Sequence, residues 1–194
     1  MRRALVLSTL VVGALTNACN DPVGSGLGRA EGLVQDVPPT GPVVTGSLAG
    51  NVNVSLSADG TQWTDLGSPN GITIPLQVAG TTTVHGEQDA PTGSYNRARL
   101  VFQGVTARLN SGSTVGGVVF TSDVTITLGG SDQRVELIVP VPAFTVEADP
   151  ATQRTILFEL RSSLWLTAAI LQTRLVEDAA LQGAVLASTR LDPR

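Results

Sequence analysis

The sequence predicts an all-β fold, an antiparallel β-sandwich of immunoglobulin-like or transthyretin-like type, with room for a short helix near the C-terminus. Three observations predict it. Apolar and polar residues alternate over most of the chain after residue 46, the period that sends successive side chains to opposite faces of a strand. Gly, Pro, Asn and Asp recur between these runs at short intervals, as in sandwiches and barrels. Only 14% of the residues are charged, against 21 Gly and 11 Pro, whereas an average soluble domain is about 25% charged. A length of 194 residues closes one hydrophobic core and leaves little for a second, so one domain is expected.

Residues 1–18 read as a secretory signal. Arg2 and Arg3 form its positive end, and the apolar run from Ala4 to Leu15 is too short to span a bilayer, which takes about 20 residues. The sole cysteine, Cys19, follows Ala18 where such a signal is cut and precedes Asn20, Asp21 and Pro22. This segment resembles a bacterial lipoprotein signal, which implies a diacylglycerol thioether on Cys19 and a membrane partner reached through acyl chains. Each buried methylene contributes about 0.8 kcal/mol, so several chains hold where one does not. Lipoprotein signals prefer Leu three places before the cysteine; here that place is Thr16, with Leu15 one further back. Ordinary cleavage after Ala14 or Ala18, leaving Cys19 as an odd thiol on a secreted protein, stays open. The expected location is the bacterial cell envelope, on its periplasmic or surface side, with secretion as the alternative. A single cysteine excludes an internal disulfide.

Residues 19–45 read as the lipidated N-terminus and a flexible tether. The stretch is rich in Gly, Pro and Asp without a sustained period, as in Gly24-Ser25-Gly26-Leu27-Gly28 and Pro38-Pro39-Thr40-Gly41-Pro42. About 25 flexible residues reach roughly 25–30 Å, enough to clear a headgroup layer. The glycines are not a dinucleotide fingerprint, because the spacing fails at Arg29 and no strand precedes them.

The β domain is expected over residues 46–194. Leu48, Val52, Val54 and Leu56 alternate with Asn51, Asn53 and Ser55, and Ile72, Ile74, Leu76 and Val78 repeat the pattern. Further runs are Ala98, Leu100 and Phe102; Val124, Ile126 and Leu128; Val135, Leu137, Val139 and Val141; and Ile156, Phe158 and Leu160. Turns are expected at Asp59-Gly60, Pro69-Asn70-Gly71, Ala79-Gly80, Pro91-Thr92-Gly93, Gly116-Gly117 and Asp149-Pro150. Gly129-Gly130-Ser131-Asp132, between two alternating runs, is the clearest hairpin. Past Ser162 the pattern is mixed. Leu164, Ala168, Leu171 and Leu175 fit a helical stripe while Trp165 fits a strand; the expected order is strand, short helix or loop, then a final strand near Gly183 to Leu191.

Charge argues against nucleic acid. The chain has no Lys, twelve Arg and sixteen acidic residues. Removing residues 1–18 takes away two Arg and no acid, so the net charge of −4 becomes −6, the wrong sign for a phosphate-binding surface.

Three stretches resemble a bacterial envelope family known as domain of unknown function four-three-eight-two. They are Val52-Asn53-Val54-Ser55-Leu56, then Pro91 to Leu100 with Gly93, Tyr95, Arg97 and Arg99, and Phe144 to Ala148 leading into Thr155 to Leu160. The resemblance covers residues 46–163 and implies a lipoprotein carrying a β-sandwich, with no activity attached. Two family features are altered: Ser57-Ala58-Asp59-Gly60 stands for Thr-Asp-Ala-Pro, and Glu159-Leu160-Arg161 for Asp-x-Asp.

Reactive groups are few, and no catalytic residue, metal site or cofactor is expected. His85 is the only histidine, so a zinc or copper centre of the usual His/Cys kind lacks ligands. Gly112-Ser113-Thr114-Val115-Gly116 is not a nucleophile elbow, since its serine falls one place early. A triad would have to recruit His85 with Asp65 or Asp123. Asp123, Glu136, Glu147 and Glu159 are available as carboxylate pairs, and Glu87 with Asp89 as a weak calcium pair. The candidate ligand contacts are Trp63, beside Gln62, Thr64 and Asp65, and the series Tyr95, Arg97 and Arg99, which alternation places on one strand face. The plain alternative packs Trp63 over the end of the core and pairs the arginines with acids such as Glu136 or Glu159. These features point first to a non-catalytic envelope module with a protein partner or structural role. A carbohydrate-binding or adhesion domain comes second, and an acid-dependent hydrolase third.

Overall fold

The computed structural model describes residues 23–40, 44–149, 151–185 and 190–193. The expected signal and Cys19 lie outside them. In chain order the strands and helices are β1 (Val23–Gln35), β2 (Gly46–Ser57), β3 (Thr64–Asp65), β4 (Asn70–Pro75), β5 (Thr82–Leu109), β6 (Thr114–Val115), β7 (Val118–Val119), β8 (Val124–Leu128), β9 (Arg134–Val146), β10 (Gln153–Glu159), α1 (Ser162–Trp165), α2 (Ala168–Thr173), β11 (Leu175–Val176), α3 (Asp178–Ala184) and β12 (Arg190–Pro193). The protein is mostly β, built on one open ten-stranded sheet with a small separate β6–β7 ribbon.

The axis of the sheet is β5. Its first half pairs with β1, Val34 opposite Thr82 and Val23 opposite Gly93. Its second half pairs on the same edge with β2, from Ser57 opposite Arg97 to Gly46 opposite Leu109. The other edge carries β9, from Val146 opposite Gly93 to Arg134 opposite Gln103, and then β8. Beyond β1 lie β10 and β12, beyond β2 lie β3 and β4, and beyond β8 lies β11. Two of these pairings, β1 with β10 and β8 with β11, are parallel, so the sheet is mixed and not purely antiparallel as expected. The β1 arm lies close over the β2 arm: a Cβ on Gly32 would stand 2.9 Å from Val54 Cγ2.

The alternating runs bury the residues that the period places inward. Leu48, Val52, Val54, Leu56, Ala98, Leu100, Phe102, Ile126, Val135, Leu137, Ile156 and Phe158 all belong to one core. Val78 departs from its run and is exposed, because β4 stops at Pro75 and Gln77 turns the chain with φ 51°.

Four expectations are corrected by long-range pairing. The supposed tether contains β1, whose residues 29–35 pair in parallel register with 153–159 of β10. Its inward positions Gly28, Ala30, Gly32 and Val34 are mostly small because neighbouring backbone passes close; a Cβ on Gly28 would lie 2.0 Å from the Glu147 carbonyl oxygen. Pro91-Thr92-Gly93 is no turn, since β5 runs straight through it. The Gly129–Asp132 segment joins two strands that do not pair with each other: β8 and β9 both run antiparallel to β5 on one edge. It is an excursion within one interrupted strand, held where Gly104 N–H donates to the Gln133 carbonyl at 2.9 Å. Finally, Trp165 sits in helix α1 and not in a strand, and α3 runs to Ala184, so among the described residues the last strand is β12. Gly116 and Gly117, both left-handed at φ 57° and 81°, make the two-residue β6–β7 turn that such geometry favours.

Candidate functional site

The polar residues of the β2–β5–β9 layer form one connected network on the face away from the core. The register sets Ser55 opposite Arg99, which faces Ile138, and sets Val101 opposite Glu136. The Arg99 guanidinium lies 4.5 Å from the Trp63 ring centroid. Its Nε and Nη2 donate to Ser55 Oγ at 3.3 and 3.1 Å, and its Nη1 donates to Glu136 Oε1 at 3.2 Å. Asp65 Oδ1 stands 3.5 Å from Nη2 and accepts the Ser55 hydroxyl at 2.5 Å. Arg134 closes the network on Glu136 Oε2 at 2.7 Å. Burial opposes the Glu136 charge, but the Arg134 and Arg99 guanidinia outweigh it and hold the carboxyl below its ordinary range. A charge held on so many sides is a fixed arrangement with little freedom to turn toward a ligand.

Trp63 is half-buried and is brought here by the turn after β2. Asp59 accepts Thr61 N–H at 2.7 Å and Gln62 N–H at 3.0 Å, an aspartate turn that aims the next residue back over the sheet. The Thr61 hydroxyl, donating to Asp59 Oδ2 at 2.7 Å, and then these two N–H bonds hold the Asp59 carboxyl well below the usual carboxylate range. Arg97 shares the outer face but bonds only locally, to the Asn96 carbonyl at 3.0 Å.

Tyr95 does not join them. The β5–β9 pairing slips between Tyr95 and Arg97, and a bulge of this kind reverses the alternation beyond it. Tyr95 therefore points into the core, 1% exposed. Its ring stacks on Phe144 at 5.7 Å and its hydroxyl donates to the Pro91 carbonyl at 2.7 Å. Its expected ligand contact is corrected to a packing role.

His85 is buried between the arms, its Nε2 2.7 Å from Asn53 Oδ1. Gly67 backs its Nδ1 so closely that a Cβ there would stand 2.8 Å away. Burial pulls the imidazole pKa down, against the raising effect of Asp65. Ser113, the near-elbow serine, is occupied elsewhere, donating to the Thr45 carbonyl at 3.0 Å. Glu87 and Asp89 both face Arg29 Nε, at 3.4 and 3.5 Å, so the pair considered for calcium shares one cation and keeps one net negative charge. Asp123 is bound by Arg108 at 2.5 Å and Glu159 by Arg161 and Arg190. Among the described residues no group of three His, Cys, Asp or Glu converges as a metal site would require.

One polar centre was not legible in the sequence. Asp36, buried just past β1, accepts Ser162 N–H at 2.5 Å, the Ser162 hydroxyl, and Gln77 N–H at 2.6 Å. Gln77 in turn accepts Val44 N–H at 2.7 Å. Arg161 and Gln77 both take left-handed backbone, so Asp36 secures the two non-glycine residues that turn the chain into α1 and out of β4. Burial raises its pKa against these lowering bonds. A lone Asp after a valine and a glutamine carries no pattern by which to find it.

Among the described residues, clefts of about 190, 250 and 250 Å³ open on the surface, below the roughly 300–1,000 Å³ of ordinary small-molecule sites. Trp63 lines none of the three. No family model, curated protein or solved structure matches this chain.

Proposed function

We propose that the chain is a non-catalytic module of the bacterial cell envelope, moored through acylated Cys19, whose body is a β-sandwich serving as a binding or structural unit. The observation that carries this reading is the position of β1. Val23, four residues past Cys19, already pairs with Gly93. Four residues span at most about 14 Å, so an acylated Cys19 would hold the body directly against the headgroup layer. The Arg-flanked apolar run before Cys19 supports export, and the strand-level likeness to the envelope family agrees with it. The two facing arms support the sandwich. The self-neutralised Arg99 network supports a structural face more than a reactive one.

The test is Cys19→Ser. The variant is expected in the soluble extracytoplasmic fraction, while the parent stays with membranes and shows an acylated cysteine by mass spectrometry of its N-terminus. Unchanged membrane partition of the variant would remove the anchor.

The half-buried Trp63 supports a second reading, a carbohydrate-binding face with the Arg99 guanidinium 4.5 Å from its ring. It requires glycan-array binding that Trp63→Ala abolishes.

A further inference from the structure

The register of β5 places two poles at opposite ends of the second arm. Val23 and Val146 meet at Gly93, whereas β5 ends at Leu109, beside the β6–β7 ribbon. There Asn110 N–H donates to the Thr45 carbonyl at 2.8 Å, and Gly112 N–H to Phe120 at 2.7 Å. Sixteen positions separate the poles, up to about 50 Å of extended chain. A body held at Val23 presents the ribbon pole away from the membrane.

That pole carries an apolar groove of about 250 Å³, walled by Val118 and Phe120 of the ribbon and Ala168 and Leu171 of α2, with Arg174 on its rim. Val118, on the groove side of the ribbon, is 50% exposed, and Val119, on its opposite face, is 60% exposed. Arg174 takes left-handed backbone at φ 60°, a place that usually falls to Gly or Asn. Its guanidinium makes no hydrogen bond or ion pair with a described residue, in contrast to Arg29, Arg99, Arg108, Arg134, Arg161 and Arg190, which all pair with acids. An unpaired cation at the lip of an apolar groove complements an apolar segment bearing a carboxylate.

We propose that this groove docks an acidic–apolar peptide segment of a partner protein, two adjacent apolar side chains entering between Val118 and Leu171 and a following carboxylate meeting Arg174. This deepens the binding-module reading above and rests on it.

The test uses the full chain carrying Cys19→Ser, so that no acyl group competes for the groove, on an array of N-acetylated octapeptides. Each pairs two adjacent Val, Leu or Phe residues with a following Asp, Lys or Ala. Asp members are expected to retain the protein, with Lys members at least tenfold weaker. Arg174→Glu should invert that order, Arg174→Lys should keep it, and Val118→Asp should abolish retention, all with unchanged circular dichroism. Equal retention of the three sets, no retention, or a dimer in sedimentation that Val118→Asp dissociates would overturn the proposal. Because the assay needs no anchor, its failure leaves the Cys19 reading standing. Loss of that reading leaves the array result standing.

Discussion

The Asp36 carboxylate, 1% exposed, has its donors supplied by two distant segments, the turn at Gln77 and the first residue of α1. Asp36→Asn keeps the shape but turns an amide NH₂ toward backbone N–H donors. About 2–3 kcal/mol of stability should be lost, read as a lower urea midpoint. The acid–base signs at single residues differ. Asp36 binds its proton more tightly in the folded chain, so its favourable contribution is complete below about pH 3.8 and fades as pH rises through the raised native value. His85 runs the other way: burial lowers its pKa, so the stability of the neutral ring is complete above about 6.5 and is lost as pH falls through the native value. Glu136, with its pKa lowered, adds a loss below about 4.5. His85→Gln should therefore flatten the fall in urea midpoint between pH 7 and pH 5, and a slope equal to the parent's would disconnect His85 from it. At this scale the alternation puts Arg97 and Arg99 on one strand face, and it leaves Trp63 open between a ligand contact and a cap over the end of the core. It misplaced Tyr95, because one slip in register reverses every later side chain.

The elements show where pattern reading succeeds and where it stops. β2, β8 and β9 are written in alternating Val, Leu and Ile and β10 holds the apolar run Ile156-Leu157-Phe158, so their apolar core positions were legible. β1 is equally central, yet its inward face is Gly28, Ala30 and Gly32, so its period carries no hydrophobic signal and it resembles a linker. The difference is testable. Gly28→Ala puts a methyl 2.0 Å from the Glu147 carbonyl oxygen and should cost more than about 3 kcal/mol or prevent folding. Leu27→Ala next to it, at a position 59% exposed, should stay within about 0.5 kcal/mol. Equal thermal midpoints for the two variants would return this stretch to a tether. Helix α1 makes the same point from the other side: no acid lies in its first turn and no local side chain caps it. A carboxylate from 126 residues away does so.

At the scale of the whole molecule, β5 serves both arms, so the N-terminal strand, the sheet edges and the ribbon pole form one connected body. Limited proteolysis of the native protein is expected to spare residues 26–35, and amide hydrogens of Ala30 and of Gly32 to Val34, residues paired on both sides, should exchange among the slowest in the chain. Rapid cleavage inside that span would separate β1 from the sheet and with it the short reach from Cys19 to the body.

The sequence by itself determined the β character, most inward positions of the strands, the scarcity of reactive groups and the export-like start, because each is a local property of spacing or composition. Only the tertiary structure decided that a glycine-rich stretch is a central strand, that two runs joined by Gly129–Asp132 lie end to end along β5, and that Tyr95 turns inward while Arg99 stays out. Those outcomes depend on which backbone passes within a few ångströms of which residue, and chain segments more than a hundred positions apart set that distance.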